Sequence, residues 1–501
     1  MSRQNKRLLN LVYPLWGKYN SLKSHVLSYP KSDNGFSAIS REKMVQYNKV
    51  RFYGARKHFC YNPFMNLYFN ASGYAIACCR SHLNVLGTYP EQSISEIWFG
   101  AKVNNLREHL LHNDLSMGCD YCRAQIDANR FHSLPSLHAE KYASKTHVTY
   151  PDIIELELGN SCNLQCVMCS GRVSSSIRQH REKMEPLTSP YDSEFVKQLK
   201  EFIPHVKEMH FYGGEPFLIS LYYPIWEAII EINPKIQLRA VSNGTVYNER
   251  IEKIIKATRF DLTISVDSLK KEHFGSIRVG ADFDTVMENI RRFDKICSGR
   301  ISISHTPMPL NYQETPEIIQ FCNENDYTIN LSYVEGPAEY ALWSLHPSEL
   351  DDIYRYYCEV QWCKTKNRFI EHHNIMVFNE WKEQVKYFRD KNAAILQSFG
   401  DIEKEYELLM PQLNQVFWDF FEQVPPGWLQ FNQAMAMITE TIDRTAITPV
   451  TIEGIRQLLT HFADSSVIQS EIAGEFLRDE IRFRDYINDV FTPHRFWSRY
   501  Y

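Results

Sequence analysis

The sequence predicts an α/β fold in which a parallel sheet is followed by a region of helices alone. Six short apolar runs rich in β-branched and aromatic residues predict strands, and they are 153–158, 208–212, 237–242, 262–266, 301–306 and 328–334. Segments with helical periodicity lie between them, namely Phe195–Phe202, Pro224–Ile232, Glu249–Lys256 and Pro316–Asn323. Alternating strands and helices imply parallel strands with right-handed crossovers.

Three cysteines follow the first predicted strand within one short loop. Cys162, Cys166 and Cys169 have the spacing C-x3-C-x2-C. Three thiolates can hold three corners of a cubic iron–sulfur cluster and leave the fourth iron without a protein ligand. An open metal position predicts an enzyme rather than an electron carrier. The alternative is a zinc knuckle or buried thiols, although zinc sites usually pair C-x2-C units and recruit a fourth Cys or His.

A Gly-Gly-Glu-Pro turn ends the second predicted strand. Gly213 and Gly214 let the backbone approach a ligand closely, because they carry no side chain. The Glu215 carboxylate and bare carbonyl groups can accept hydrogen bonds from an ammonium group. Taken alone such a sequence is a good turn, but here it follows the cysteine loop by one strand–helix unit.

The cysteine loop and this turn together resemble the radical S-adenosylmethionine (radical SAM) superfamily. The resemblance implies an open, partial (β/α)6 barrel over residues 150–345, with the site at the carboxyl ends of its strands. It also implies that Cys162, Cys166 and Cys169 hold a [4Fe–4S] cluster whose open iron binds S-adenosylmethionine (SAM). Reductive cleavage of SAM then yields a 5′-deoxyadenosyl radical, which abstracts a substrate hydrogen atom.

The resemblance further assigns residues to SAM binding. These cofactor-binding candidates lie at or after the predicted strand ends, and they are Gly213, Gly214, Glu215, Ser242, Asn243, Asp267 and Arg278. Arg278 is the candidate to pair with the SAM carboxylate, because a guanidinium makes a forked bond there. The alternatives are a solvated surface ion pair for Arg278 and a strand-end cap or turn residue for Asp267.

A second group of cysteines precedes the predicted barrel. A hairpin with an Asn/Ser/Gly turn is predicted within 67–79, and Cys119-Asp120-Tyr121-Cys122 follows a predicted helix. Residues 55–126 resemble the auxiliary-cluster module called SPASM, or twitch in its shorter form. The resemblance implies a second [4Fe–4S] cluster, held by Cys60, Cys78 or Cys79, Cys119 and Cys122. A zinc site with four cysteines is the alternative.

The order of the two regions departs from the resemblance, since this module normally follows the barrel. Cys358 and Cys363 lie where a trailing module would begin and are candidates for a further ligand or for a second cluster. We favour instead buried thiols on an aromatic-rich helix. Cys297 and Cys322 lie in helical stretches of the barrel and are predicted to be packing residues.

The ends of the chain complete the predicted organisation. Residues 1–54 form an N-terminal arm, and residues 348–501 form an all-helical C-terminal domain. The predicted helices there are Phe378–Asp390, Ile402–Leu409, Val416–Gln423, Thr451–Phe462 and Ile472–Asp485. We interpret its many aromatic residues, including Phe417, Trp418, Phe420, Phe421 and Trp428, as a helix-packing core rather than a substrate surface.

Composition limits the classes of function. The chain has 501 residues, enough for several domains, and a formal net charge of −5, so nothing indicates nucleic-acid binding. Twelve cysteines without a recognisable secretory signal predict a reducing compartment and metal binding. No run approaches the roughly 20 apolar residues of a membrane helix. We therefore expect a cytoplasmic protein with neither nucleic acid nor membrane as a partner.

The expected function is oxidative modification of a peptide or protein by radical SAM chemistry, because enzymes with SPASM or twitch modules often modify peptides. Dehydrogenation of a small alcohol or sugar-type metabolite is one alternative. A non-catalytic iron–sulfur protein is another, although an electron carrier has no need of a site for the SAM amino group. The expected partners are an electron donor such as flavodoxin or ferredoxin and a peptide or small-molecule substrate.

Overall fold

The computed structural model describes residues 36–462 apart from short gaps, together with Lys23, Leu27, Phe483, Arg484 and Ile487. The gaps are 82–83, 128, 132–133, 143–144, 298–300, 335, 399–401, 422–429 and 446–448. Within these residues no helix combines the length and apolarity needed to cross a membrane. The chain divides into two compact units. The first comprises Met1–Gln165, Ser170–Ser265 and Gly280–Ser302, and the second Cys166–Cys169, Val266–Val279 and Ile303–Tyr501.

The first unit begins with a segment of short helices around a β-hairpin. Its elements are α1 (Arg41–Val50), α2 (Asn62–Met65), β1 (Asn66–Phe69), β2 (Tyr74–Ile76), β3 (Gly87–Thr88), α3 (Ile94–Phe99), α4 (Ala101–Leu111), α5 (Asp120–Asp127) and α6 (Ser136–Ala139). Asn70 closes the hairpin turn, since its side-chain oxygen accepts hydrogen bonds from the backbone N–H groups of Ser72 and Tyr74. A capping box of Ser93 and Glu96 starts α3.

The strands and helices of the barrel follow in alternation. They are β4 (Ile153–Leu156), α7 (Ser175–His180), α8 (Ser193–Phe202), β5 (Glu208–Phe211), α9 (Tyr222–Ile232), β6 (Gln237–Ser242), α10 (Glu249–Ala257), β7 (Arg259–Ser265), α11 (Lys271–Ile277), α12 (Phe283–Ile296), β8 (Ile301–His305), α13 (Thr315–Glu324) and β9 (Thr328–Leu331). All six predicted strands and the four named helices between them are present. The predicted α/β class and the alternation are therefore confirmed.

One sheet in the first unit joins the hairpin to the barrel strands. Its strand order is β3-β2-β1-β4-β5-β6-β7. β1 pairs antiparallel with β2 but parallel with β4, in a register that places Asn66 beside Ile153 and Phe69 beside Leu156. The pairs β4–β5, β5–β6 and β6–β7 are also parallel. The N-terminal hairpin thus extends the barrel sheet at the edge of its first strand.

The two faces of this sheet differ in chemistry because successive side chains in a strand point to opposite sides. One face is apolar and buried, with Ile154, Met209, Leu238 and Phe260 at equivalent positions. The opposite face carries a row of polar residues in register across five strands. This polar row consists of Tyr68, Glu155, His210, Arg239 and Asp261.

The second unit contains β9, the end of β8 and the C-terminal helices. These helices are α14 (Pro347–Glu359), α15 (Arg368–Ser398), α16 (Ile402–Phe421), α17 (Phe431–Thr445) and α18 (Pro449–Phe462). Val266 N–H donates to the Ser304 carbonyl oxygen, which continues strand pairing beyond β7. Phe417, Phe420 and Phe421 are buried and contact the ring of Phe462, as expected for a packing core, whereas Trp418 is 49% exposed.

Several sequence predictions for the C-terminal region need correction. Ile402–Leu409 and Val416–Gln423 were predicted as separate helices, but one helix, α16, runs through Pro411. α17 was not predicted. Cys358 and Cys363 are exposed, so the prediction of buried thiols was wrong, whereas Cys297 and Cys322 are buried as expected. Most of Ile472–Asp485, and Trp428, lie outside the described residues.

Candidate active site

The loop that carries Cys162 is held by the start of α7. The Ser174 hydroxyl donates to the Leu164 carbonyl oxygen at 2.7 Å. Cys162 N–H donates to the Ser175 hydroxyl oxygen at 3.1 Å, and that hydroxyl also lies 3.1 Å from the Cys162 carbonyl oxygen. The backbone on both sides of the thiol is therefore fixed by hydroxyl groups, while its side chain stays partly accessible.

Asn243, at the end of β6, contacts this first cysteine. Its amide Nδ2 lies 3.9 Å from Cys162 Sγ and donates to Asn163 Oδ1 at 3.0 Å. Burial raises the pKa of the Cys162 thiol. An N–H donor beside a thiolate ligand is one of the features that set the reduction potential of an iron–sulfur cluster.

The Gly-Gly-Glu-Pro turn lies directly against the cysteine loop. Gly213 has φ of +116°, a conformation that L side chains rarely adopt. A Cβ atom on Gly214 would clash with the carbonyl oxygens of Ser161 and Asn160, the latter at 2.7 Å. Glu215 N–H donates to the Ser161 carbonyl oxygen at 2.8 Å. The close approach of two backbones therefore requires glycine at position 214.

The carboxylate of Glu215 is fully buried and is directed toward β6. It accepts hydrogen bonds from the Ser242 hydroxyl at 2.9 Å, from Asn243 N–H at 2.7 Å and from Phe217 N–H at 3.2 Å. Three of the roughly four acceptor positions of a carboxylate are thus used within the protein. Glu215 joins the turn to the end of β6, a positioning contact that the sequence did not predict.

In the second unit, Cys166 lies beside a buried ion pair. Arg278 Nη2 is 2.6 Å from Asp267 Oδ2, and Arg278 Nη1 is 3.9 Å from Cys166 Sγ. Asp267 also accepts a hydrogen bond from Thr306 N–H at 2.8 Å. Both charged side chains are buried, so neither a solvated surface pair nor a simple strand-end cap describes them.

The charge state of this pair follows from its surroundings. Burial opposes ionisation of Asp267, but the Arg278 guanidinium and the contacts from His305 and Thr306 together hold the pKa of Asp267 below its ordinary value. Nε of Arg278 is buried and has no hydrogen-bond partner in the described part of the chain. A buried cation with a spare donor fits an anionic ligand, whether a thiolate-bound cluster or a carboxylate.

Four cysteine side chains of the N-terminal segment lie near one another in the first unit. Burial raises the pKa of Cys60 to about 11 and that of Cys78 to about 12, and neighbouring thiols add to the shift of Cys78. Burial, followed by the other cysteines, raises the pKa values of Cys119 and Cys122 well above the ordinary value of a thiol. Cys79 is exposed, so the geometry favours Cys78 over it.

Four soft thiol donors in a buried setting fit an iron–sulfur cluster or zinc by their chemistry. In the part of the chain that the structure describes, no group of three or more His, Cys, Asp or Glu side chains is arranged to hold a single metal ion.

Residues 156–322 match the radical SAM superfamily, and residues 60–123 match SPASM, an iron–sulfur cluster-binding domain. This chain carries a radical SAM domain preceded by a SPASM domain. The radical SAM domain implies a [4Fe–4S] cluster and SAM, and the SPASM domain implies auxiliary iron–sulfur binding.

Among curated proteins, the GTP 3′,8-cyclase of Clostridium botulinum (strain Hall) is 24% identical over 183 residues, 36% of this chain and 55% of that protein. The probable GTP 3′,8-cyclase of Methanocaldococcus jannaschii is 24% identical over 173 residues, 34% of this chain and 55% of that protein. The chain spans about half the length of these relatives.

Two solved structures are also similar to this chain. Streptococcus suis SuiB bound to S-adenosylmethionine is 15% identical, with 55% of this chain and 68% of that chain covered and a TM-score of 0.33. The protein anSMEcpe with bound AdoMet is 19% identical, with coverage of 41% and 60% and a TM-score of 0.33.

The polar row is a feature of the radical SAM domain that the sequence analysis missed. His210 Nε2 is 2.7 Å from Glu208 Oε1, and Arg239 Nε is 2.7 Å from the same oxygen. Asn66 of the SPASM domain donates from Nδ2 to Glu155 Oε1 at 2.6 Å and to the Ala77 carbonyl oxygen at 3.1 Å. Alternating polar residues at 155 and 157, and at 208, 210 and 212, are the signal that could have revealed this face.

A buried arginine outside the SPASM match holds the backbone that precedes Cys60. Arg51, just after α1, donates from Nη2 to the carbonyl oxygens of Phe59 and His58, the latter at 3.0 Å. Its Nε lies 2.6 Å from Glu140 Oε1. The backbone that leads into Cys60 is therefore fixed by a cation that no cysteine spacing could indicate.

Proposed function

We propose that this radical SAM enzyme removes two electrons from a peptide or protein substrate. When bound, SAM and its cluster would supply the hydrogen-abstracting radical, and the auxiliary cluster would accept the second electron. In this proposal Cys162, Cys166 and Cys169 hold the first cluster, and Cys60, Cys78, Cys119 and Cys122 hold the second.

The roles of the other site residues follow from their contacts. Gly213 and Gly214 allow the SAM-binding turn to approach the cysteine loop, and Glu215 holds that turn against β6. Asn243 donates toward Cys162. Arg278, held by Asp267, places a positive charge next to Cys166.

One observation carries the oxidative part of the proposal. The hairpin that leads to Cys78 is paired in register with β4, and Asn66 bonds both to Ala77 and to Glu155 of the polar row. The auxiliary thiols and the polar face of the barrel sheet are thus parts of one hydrogen-bonded structure. A reaction that abstracts a hydrogen atom and later returns one would need no second redox centre beside the polar face. An oxidation needs such a centre to accept the second electron.

The polar row supports a substrate rich in hydrogen-bonding groups. It offers a carboxylate, an imidazole, a guanidinium and a phenol in register, and the Arg239 side chain is 47% exposed. Peptide amides match such a surface because each residue presents both a donor and an acceptor. Small polyhydroxy compounds share this property and are the competing substrate class.

The test begins with protein reconstituted anaerobically with iron and sulfide, then given SAM and dithionite. We expect 5′-deoxyadenosine by mass spectrometry from the wild type and none above background from C162A/C166A/C169A. The wild type is then incubated with a peptide library, a panel of sugars and aminocyclitols, and GTP.

A peptide product lighter by two hydrogen atoms is the expected result. The same mass loss from a sugar would replace the substrate class and keep the oxidation. A product of unchanged mass from any of these compounds would overturn the oxidation itself.

A further inference from the structure

We propose that His210 takes up one proton when an electron arrives at the auxiliary site, so that electron and proton uptake are coupled in the SPASM domain. This inference rests on the proposed function, since it needs a redox-active cluster at Cys60, Cys78, Cys119 and Cys122. It gives His210, a residue of the radical SAM domain, a role in the redox chemistry of the auxiliary site.

His210 lies in β5 between two carboxylates. Its Nε2 is 2.7 Å from Glu208 Oε1, and its Nδ1 is 3.5 Å from Glu155 Oε2 and 2.9 Å from the Tyr212 hydroxyl. The ring is thus fixed at both nitrogens by groups on β4 and β5. Nε2 is the position that stays protonated against Glu208, and Nδ1 is the position at which a second proton can be gained.

The two carboxylates have different surroundings. Glu208 also contacts Arg239 of β6, at 2.7 Å, and Lys141, and the Tyr142 hydroxyl donates to it at 3.1 Å. For Glu155, His210 is the one group capable of positive charge within ion-pair distance among the described residues. The charge of Glu155 is therefore balanced only when His210 is protonated.

A short chain of contacts leads from Glu155 to Cys78. Asn66 donates to Glu155 Oε1 at 2.6 Å and to the carbonyl oxygen of Ala77, the residue before Cys78. Burial and the neighbouring Cys60 raise the pKa of Cys78, and the negative charge of Glu155 adds to this rise. A charge at this thiol and a charge on the polar row therefore interact electrostatically, as expected at low effective dielectric.

The remaining groups near the imidazole are neutral or already paired. Tyr68 of β1 donates to Glu157, and burial raises the pKa of Tyr212 well above its ordinary value, so that both phenols keep their protons. Asp261 of β7 lies 3.9 Å from Arg239. Neither phenol competes with His210 for a proton near neutral pH.

The direction of the coupling follows from simple electrostatics. An electron added at the auxiliary site places one more negative charge near Glu155, which stabilises the imidazolium form of His210. The pKa of His210 is then higher in the reduced than in the oxidised state. Between these two pKa values, reduction by one electron is accompanied by uptake of one proton at Nδ1.

The stoichiometry matches the proposed oxidation. After hydrogen abstraction, a carbon radical that bears an O–H or N–H group becomes C=O or C=N by loss of one electron and one proton. The auxiliary cluster, when bound, would accept the electron, and His210 would accept the proton. The net charge around the sheet thereby stays unchanged, because each negative charge gained near Cys78 is matched by one positive charge on the imidazole.

The pH window lies above the ordinary histidine range. Burial lowers the pKa of His210, but its contacts with Glu155 and Glu208 raise it by more, so that it lies above its ordinary value. Below this raised pKa His210 is protonated in both redox states, and the potential should not depend on pH. Above it the potential should fall with rising pH until the pKa of the reduced state is passed.

The experiment uses the full-length C162A/C166A/C169A variant, which keeps only the auxiliary cluster. Redox titrations monitored by electron paramagnetic resonance run from about pH 6 to about pH 10. We expect a flat region followed by a fall of up to about 59 mV per pH unit, the value for one proton per electron. H210Q in this background should remove the slope. H205Q should keep it, because His205 is an exposed histidine of the same unit that stacks on Tyr150.

E155Q provides a second variant in case H210Q does not load its cluster. Without the Glu155 charge, His210 keeps only Glu208, so its pKa falls and the sloping region moves to lower pH. A wild-type potential that is flat throughout, or a slope that survives in H210Q, would overturn the coupling. If the triple-alanine protein binds no iron, the auxiliary site itself is wrong, and that result is distinct from bound iron with a flat potential.

Discussion

The two cysteine sets of this protein offer the same thiol donors in different surroundings. In the radical SAM domain, Cys162 and Cys166 each face a side-chain N–H donor, from Asn243 and from the Arg278 guanidinium. In the SPASM domain Cys60 faces the Asn62 backbone N–H at 3.4 Å and lies near Arg51, whereas Cys78 lies near the Glu155 carboxylate of the polar row.

The difference would give the two proposed iron–sulfur clusters different reduction potentials. A cation and N–H donors beside a thiolate stabilise the electron-rich state of a cluster, whereas a carboxylate disfavours it. Beside Cys166 the stabilising charge, that of Arg278, is therefore permanent. Near Cys60 the Arg51 guanidinium is also permanent, whereas near Cys78 the compensating charge is present only while His210 holds its proton.

The largest effect is expected from replacing Cys78 and Cys79 one at a time, which tests which of the two is a cluster ligand. In the C162A/C166A/C169A background, C78A should lose the remaining cluster, whereas C79A should keep it, because Cys78 is buried with the other thiols and Cys79 is exposed. Iron and acid-labile sulfide analysis measures this directly. Equal iron in the two variants would remove Cys78 from the ligand set.

A second prediction tests the permanent charge at Cys166. D267N leaves the Arg278 guanidinium buried without its counter-ion, and removal of one partner of a buried pair costs about 3–5 kcal/mol in the free energy of unfolding. Urea denaturation followed by circular dichroism measures it, with D261N as the control. The Asp261 side chain is 31% exposed and 3.9 Å from Arg239, so D261N should cost below about 1 kcal/mol.

The same pair has a defined pH dependence. Because the pKa of Asp267 is lowered in the folded protein, its contribution to stability is present above its unfolded pKa of about 3.9. That contribution is lost as the pH falls through the folded value. Wild type and D267N should therefore converge in stability on acidification, and a constant difference would contradict the ionised pair.

A smaller effect is expected at the Gly-Gly-Glu-Pro turn, which is proposed to bind SAM. G214A forces the turn away from the Asn160 and Ser161 carbonyl oxygens, so SAM affinity should fall at least about tenfold, or about 1.4 kcal/mol. Calorimetry with SAM measures this change. G275A is the matched control, because a Cβ atom there meets nothing within 4 Å and alanine favours the helix. Equal affinity in both variants would mean that the turn does not contact SAM.

Much of the barrel could be predicted because its signals are local. Apolar strands, helical periodicity and strand-end glycines all lie within short stretches of sequence, and β4 to β9 appear where those signals occur. The pairing of β1 with β4 leaves no such signal, since it joins strands far apart in the chain.

The candidate site was likewise predictable only where its residues are close together in the sequence. Cysteine spacing and the glycine turn are contiguous patterns, but the contacts of Arg278 with Asp267 and of Asn66 with Glu155 depend on tertiary packing. At Cys358 and Cys363 the local pattern was misleading, because the aromatic-rich sequence suggested burial while both thiols are exposed.

The parallel pairing of β1 with β4 also bears on how the protein is made. An open barrel strand presents unpaired N–H and C=O groups that can recruit another chain. Domains emerge from the ribosome N-terminal first, so the hairpin of β1 and β2 is synthesised before the strand whose edge it covers. With the SPASM domain placed first, β4 meets its partner at once, and the growing sheet is protected on that side throughout synthesis.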